Sequence, residues 1–278
     1  MTPPAIDHWK DHARQWSLVG PPPLRPCPED AARVEMESVP WLGTLSRTSP
    51  GVLVLGVTPE LTGLPFSPGT RVIAVDNSIH MIRALWRGPG SNGHRAVCAD
   101  WRSLPLSPGS IDLTLADGSL SALPYPDGYD ALAAGLRRLM PAGSRCVIRC
   151  FMQIEPRETV DQVFSDLTRH RIGNFHILKW RLAMALQPSL EEGVAVGSVW
   201  EAFHARWGSL GEFARLFGWP LDEVRTIEVY RGVPTRYTFP TETEHRAFFA
   251  RAGFAIVKWL VPAYELGERC PTLVLERL

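Results

Sequence analysis

The sequence predicts an α/β fold, a mostly parallel sheet with helices on both faces. Two apolar, β-branched runs and their alternation with helical spacing point to it. Val52-Leu53-Val54-Leu55 stops at Gly56, and Val72-Ile73-Ala74-Val75 stops at Asp76. Runs without polar alternation suit strands buried on both faces. Further strand-like runs at 96–99, 111–115 and 146–151 alternate with helical patterns at 78–86 and 129–139. That order is the one βαβ units require.

The chain has 278 residues, enough for one large α/β domain or a domain with a lid. Its 45% hydrophobic content can fill a core, and no tract is of low complexity. Lys+Arg and Asp+Glu both total 29, and this balance argues against a nucleic-acid partner. No apolar run is long enough for a membrane-spanning helix. Residues 1–7 lack a basic and an apolar leader region, so no signal peptide is expected. The five cysteines form no C-x-x-C pair. They read as buried free thiols in a reducing cytoplasm, with Cys146 and Cys150 on one side of a strand.

Residues 1–48 read as an N-terminal helical cap. Trp9 and Trp16 are seven apart, which places them on one helical face. Pro21, Pro22, Pro23, Pro26 and Pro28 then break the helix. Pro28, Glu29 and Asp30 start a second helix, expected to end before Pro40. Residues 49–153 and 238–278 read as the Rossmann-like core. Between them, 154–237 reads as an inserted, mostly helical lid, with one strand expected at 228–230. In the last segment a helix starts at Thr241 and ends near Gly253. Strands at 255–260 and 272–276 then form an antiparallel hairpin at the sheet's end.

Gly56 stands where the first strand turns toward a helix, so the backbone there can approach a ligand closely. Asp76 lies 20 residues further on, the offset of an acid that accepts from ribose hydroxyls. Asn77 or Ser78 can cap the following helix, leaving Asp76 to a ligand. This pairing points to a nucleoside-containing cofactor. The segment Gly56-Val57-Thr58-Pro59-Glu60 does not match G-x-G-x-x-G. Glu60 at the helix N-terminus would oppose a pyrophosphate, which disfavours NAD. A cofactor with a sulfonium and an ammonium group tolerates that acid. Asp100 and Trp101 follow the third strand and suit an adenine amino group and ring. Asp117-Gly118-Ser119 follows the fourth strand and should face the same site.

The stretches VLVLGVTPEL, VIAVDNS, VCADWRSLPL, IDLTLADGSLSAL, LMPAGSRCVIRCF and AGFAIVKWL…CPTLVLERL resemble, in order, class I S-adenosylmethionine (SAM)-dependent methyltransferases. The resemblance covers roughly half the chain. In it, Val57, Thr58 and Pro59 replace the usual further glycines. It implies a sheet of seven mostly parallel strands whose last strand is antiparallel. It also implies SAM as cofactor, contacted by Gly56, Val57, Thr58, Asp76, Asn77, Met81, Asp100, Trp101, Asp117 and Gly118. The implied activity is methyl transfer to a small-molecule acceptor by in-line displacement, which needs alignment and exclusion of water more than a nucleophile.

His176 is the candidate base, with His80 and His204 behind it. Arg181, Arg231, Arg236, Tyr230 and Tyr237 are candidates to shape an acceptor pocket. No H-E-x-x-H, G-x-S-x-G or Walker loop occurs, and no metal is expected. The alternatives are a methyltransferase-like binding module without catalysis, a protein methyltransferase and an NAD-dependent oxidoreductase. A homo-oligomer is compatible with the sequence.

Overall fold

A computed structural model describes residues 9–20, 22–87 and 93–278. The reading of residues 1–7 as free of a leader and the helix-breaking role of Pro21 lie outside them. The strands are β1 (Gly51–Leu55), β2 (Arg71–Asp76), β3 (Arg95–Cys98), β4 (Leu113–Asp117), β5 (Arg145–Arg149), β6 (Val194–Ala195), β7 (Arg236–Tyr237), β8 (Phe254–Leu260) and β9 (Thr272–Arg277). Seven of them form one sheet in the order β3-β2-β1-β4-β5-β9-β8, and β6 pairs with β7 separately. β1 to β5 are parallel, and β9 runs antiparallel to both of its neighbours. This is the sheet that the methyltransferase resemblance implies, and the chain has that class I fold.

Alternation of side chains along β1 feeds two cores. Val52 and Val54 pack with Val72, Leu113 and Leu115 on one face. Leu53 and Leu55 pack with Val75, Tyr129 and Leu132 on the other. The first face is covered by α2 (Pro28–Leu42) and, further along the chain, by α4 (Ile79–Leu85). Before α2 comes α1 (Trp9–Arg14), and between α2 and α4 the short α3 (Pro59–Thr62). The second face is covered by α5 (Asp127–Leu139) and α11 (Glu242–Arg251). Thr241 opens α11 through a capping box with Glu244.

Between β5 and α11 lie α6 (Val160–Thr168), α7 (Phe175–Leu186), α8 (Val196–Arg206), α9 (Leu210–Phe217) and α10 (Leu221–Arg225). They enclose a third core of interlocking rings, including Phe175, Phe203 and Phe213. α7 is buried from Phe175 to Met184, the signature of a central helix.

Several local expectations are corrected. Residues 228–230 are not a strand. They belong to a 3-10 turn, Thr226–Tyr230, in which Ile227 and Tyr230 are buried three residues apart on one face. α2 does not stop before Pro40 but continues through it to Leu42. A proline in the last turn removes one backbone donor and leaves the rest of the helix intact. α1 ends at Arg14, so Trp16 lies in the turn beyond it. β4 begins at Leu113, two residues later than expected, and ends at Asp117. Just before it, the Asp112 carboxylate accepts from the Gly51 N–H at 2.8 Å and pairs with Arg47. Cys27, Cys146, Cys150 and Cys270 are buried free thiols, but Cys98 is exposed.

Candidate functional site

The strand order reverses between β1 and β4, and the crevice beyond their carboxyl ends is where such sheets bind ligands. A cavity of about 860 Å³, including its mouth, opens there. Each strand end contributes to it. After β1, Gly56 turns with φ +106°, and its N–H donates to the Val75 carbonyl at 2.7 Å. A side chain added there would stand 4.0 Å from Asp76 Oδ2 and 3.9 Å from Thr58 Oγ1. Glycine thus keeps the backbone and the acid on one open surface.

Asp76 ends β2 and is 8% exposed. Its Oδ1 accepts from the Ser78 N–H at 2.8 Å. Ser78 in turn caps α4 by accepting from Met81, so the cap does not need the acid. Trp101 is anchored by its Nε1, which donates to the Val75 carbonyl at 2.6 Å. The Ser119 hydroxyl donates to the Leu55 carbonyl at 2.9 Å, which ties the β4 loop to the end of β1.

Asp117 faces the cavity while its carboxylate is held from behind. Arg149 Nε donates to Asp117 Oδ1 at 2.5 Å. This guanidinium is 1% exposed, also lies 3.5 Å from Asp30, and donates to the Pro23 carbonyl and the Tyr264 hydroxyl. Burial pushes the Asp117 carboxyl above its usual value, and Arg149 pulls it back. Gly118 follows with φ +62°, and a side chain there would lie 2.4 Å from the Phe151 ring.

Of the ten residues expected to contact a cofactor, Gly56, Val57, Thr58, Asp76, Met81, Trp101, Asp117 and Gly118 line this cavity. Two do not. Asn77 is exposed outside it, and its carbonyl accepts from Cys98 Sγ. Asp100 is held by Arg102 through Nε at 3.0 Å and Nη2 at 2.5 Å, and it caps the Trp101 turn. That pairing holds its carboxyl below the usual value.

His176 lies apart from the cavity as well. It is buried in α7, lines no part of the cavity, and its Nε2 lies 3.1 Å from the Leu18 carbonyl. Burial pushes its pKa down to about 3, which suits a neutral structural group. His204 pairs with Glu228 at 2.9 Å, away from the cavity, and His80 does not line it either. Tyr230 and Tyr237 do line it. The three arginines offered for an acceptor pocket do not. Arg181 is bound to Glu158 and Asp166, Arg231 lies over Trp200, and Arg236 donates to the carbonyls of Glu192 and Gly193.

Trp9, His12 and Trp16 from the N-terminal segment complete the wall, with Phe151 and Trp180. Sequence reasoning placed Trp9 and Trp16 on one helical face but assigned them no site. His12, three residues after Trp9, carries nothing in the sequence that separates a site residue from an ordinary helix residue. Among the described residues no three His, Cys, Asp or Glu side chains converge as a metal site, and no helix is long and apolar enough to cross a membrane.

No family model and no curated protein sequence matches the chain. Solved structures do. A Rhodobacter sphaeroides protein whose description names Zn-dependent alcohol dehydrogenases is 15% identical, with TM-score 0.58 over 96% of this chain and 97% of its own. A Bordetella parapertussis protein described as a possible exported protein is 13% identical, with TM-score 0.53 over 98% of this chain and 80% of its own. These two likenesses show the fold and nothing finer. A Methanosarcina mazei protein described among SAM-dependent methyltransferases is 15% identical, with TM-score 0.49 over 86% of this chain and 97% of its own.

Proposed function

We propose that the chain is a SAM-dependent methyltransferase acting on a small molecule. The observation that carries this reading is the meeting of Gly56 and Asp76 at one cavity where the strand order reverses. The residues fit SAM: an open glycine turn, a mostly buried acid for the ribose diol, and rings beside which a cation is favoured. A second acid, Asp117, adds negative charge where a pyrophosphate would be repelled. Glu60, which argued against NAD in the sequence, is paired with Arg25 at 2.5 Å and does not line the cavity. The case against a dinucleotide therefore passes to Asp76 and Asp117.

When bound, SAM supplies an electrophilic methyl group. Asp76 accepts from the ribose hydroxyls, while Met81 and Trp101 flank the base. Asp117, fixed by Arg149, serves the charged end of the cofactor. Phe151, Trp180 and Tyr237 exclude water and hold the acceptor in line. In this reading residues 49–153 and 238–278 form the cofactor core, and 1–48 and 154–237 close over the acceptor. A second reading, binding without catalysis, draws support from Val57, Thr58 and Pro59 in the glycine turn.

Calorimetric titration with SAM, S-adenosylhomocysteine (SAH) and NAD tests the proposal. SAM and SAH are expected to bind and NAD not to. Asp76→Ala, shown by circular dichroism to be folded, is expected to weaken SAM binding roughly ten- to hundredfold, the loss of hydrogen bonds to a charged acceptor. Folded protein that binds no SAM would sink the reading. SAM bound but consumed with no acceptor would favour the second.

A further inference from the structure

Much of the cavity wall is aromatic, and its lining charges are acidic. Phe151 meets Trp180 edge-on at 5.1 Å, and Trp180 meets Tyr237 edge-on at 5.7 Å. Trp9, Trp16 and Tyr230 also line it. Rings locked against one another in this way favour a flat apolar guest. The carboxylates lining the cavity are Asp76 and Asp117, and no lysine or arginine among the described residues lines it. An acceptor bearing a carboxylate or phosphate would meet Asp76 and an Asp117 already paired with Arg149, and no lining cation to hold it, which costs affinity.

One group there suits proton removal. His12 projects from α1 into the cavity, with its ring 5.3 Å from Trp9 and 5.7 Å from Tyr230. α1 packs against α4, which carries Met81 on the cofactor side. His12 therefore joins the cofactor wall to the ring wall. Burial raises the pKa of Tyr230 and Tyr237, so their hydroxyls keep their protons.

We infer that the acceptor is an uncharged planar aromatic carrying an O–H or N–H, and that His12 is the catalytic base for it. This inference rests on the methyltransferase reading. The acceptor heteroatom forms a bond to the methyl carbon as the carbon–sulfur bond breaks, its electron pair staying on sulfur. The acceptor's proton passes to an imidazole nitrogen of His12 and then to solvent. The products are the methylated acceptor and SAH. A neutral imidazole nitrogen can accept that proton.

The test uses the full chain and begins with binding. The SAH-loaded protein is titrated with 1-naphthol and with 1-hydroxy-2-naphthoate, which shares its skeleton and adds a carboxylate. 1-Naphthol is expected to bind at least about tenfold more tightly. Equal or tighter binding of the carboxylate would overturn the substrate class. Transfer of labelled methyl from SAM is then followed to 1-naphthol, 4-quinolinol and 5-hydroxyindole. His12→Gln is expected to lower kcat about a hundredfold while leaving SAH and 1-naphthol affinities within about threefold. Added imidazole is expected to restore turnover in His12→Ala, which a merely structural role would not allow. Wild-type turnover in His12→Gln would overturn the base, as would loss of naphthol binding in step with turnover. Absence of transfer to all three acceptors by a protein that binds SAM would overturn the inference alone. Failure to bind SAH would instead remove the reading beneath it.

Discussion

At the carboxyl end of β4, two adjacent residues meet opposite demands. Asp117 is a mostly buried acid held at 2.5 Å by Arg149, whose guanidinium also lies 3.5 Å from Asp30. Breaking such a pair leaves a buried charge uncompensated. Gly118 must leave room, because an added Cβ would lie 2.4 Å from the Phe151 ring at φ +62°. Gly118→Ala is expected to cost about 2 kcal/mol of stability from left-handed strain and overpacking. The same change should displace Phe151 and weaken 1-naphthol binding. Urea unfolding and the naphthol titration measure both effects, and an unchanged midpoint would refute the steric account. The sequence showed Asp117 and Gly118 at a strand end and so facing a crevice. It did not show Arg149, because an arginine closing an apolar run gives no sign of which acid it meets. The pairing of Asp100 with Arg102, two residues away, was illegible too, because sequence does not say whether a turn acid faces outward or back to its neighbour.

The strands were legible as elements because burial on both faces demands continuous apolar runs, as in Val52–Leu55 and Val72–Val75. The helical insertion was less so. α7 is buried all round, so its basic residues are interior groups with specific partners. Lys179 Nζ donates to Thr226 Oγ1 at 2.8 Å and lies over the Tyr230 ring at 5.2 Å. Burial pushes its pKa down to about 7, with Glu223 opposing. The unfolded chain holds that proton up to its ordinary value near 10.5. Between these values the unfolded state binds more protons, so this group makes stability rise with pH, by at most about 1.4 kcal/mol per unit. Below about pH 7 both states are protonated and the slope vanishes. Lys179→Met is expected to lose the rise between pH 7 and pH 9. Urea unfolding of both proteins at pH 6, 7, 8 and 9 tests this, and curves that stay parallel would contradict it. The turn at Thr226–Tyr230 escaped the sequence because its apolar residues fit a strand equally well until tertiary packing fixes them three apart.

For the whole molecule, the sheet was readable and the closure of the site was not. Neighbouring parallel strands follow from short local connections, two of which, at 78–86 and 129–139, are visible as a run, a turn and a helix. The N-terminal segment reaches the site through long-range contacts that leave no periodic trace. α1 packs on α4, the Leu18 carbonyl meets His176, and the Pro23 carbonyl accepts from Arg149 at 2.9 Å. His12 enters the cavity by that route. In the proposed function the crevice between β1 and β4 holds SAM, with Asp76 on its ribose and its sulfur toward Phe151 and His12. A crystal structure of the full chain with SAH measures this directly. The expected result is ribose hydroxyls about 2.6–3.2 Å from the Asp76 carboxylate, the base beside Met81 and Trp101, and the sulfur facing His12 and Phe151. SAH bound elsewhere, or a ribose out of reach of Asp76, would contradict it.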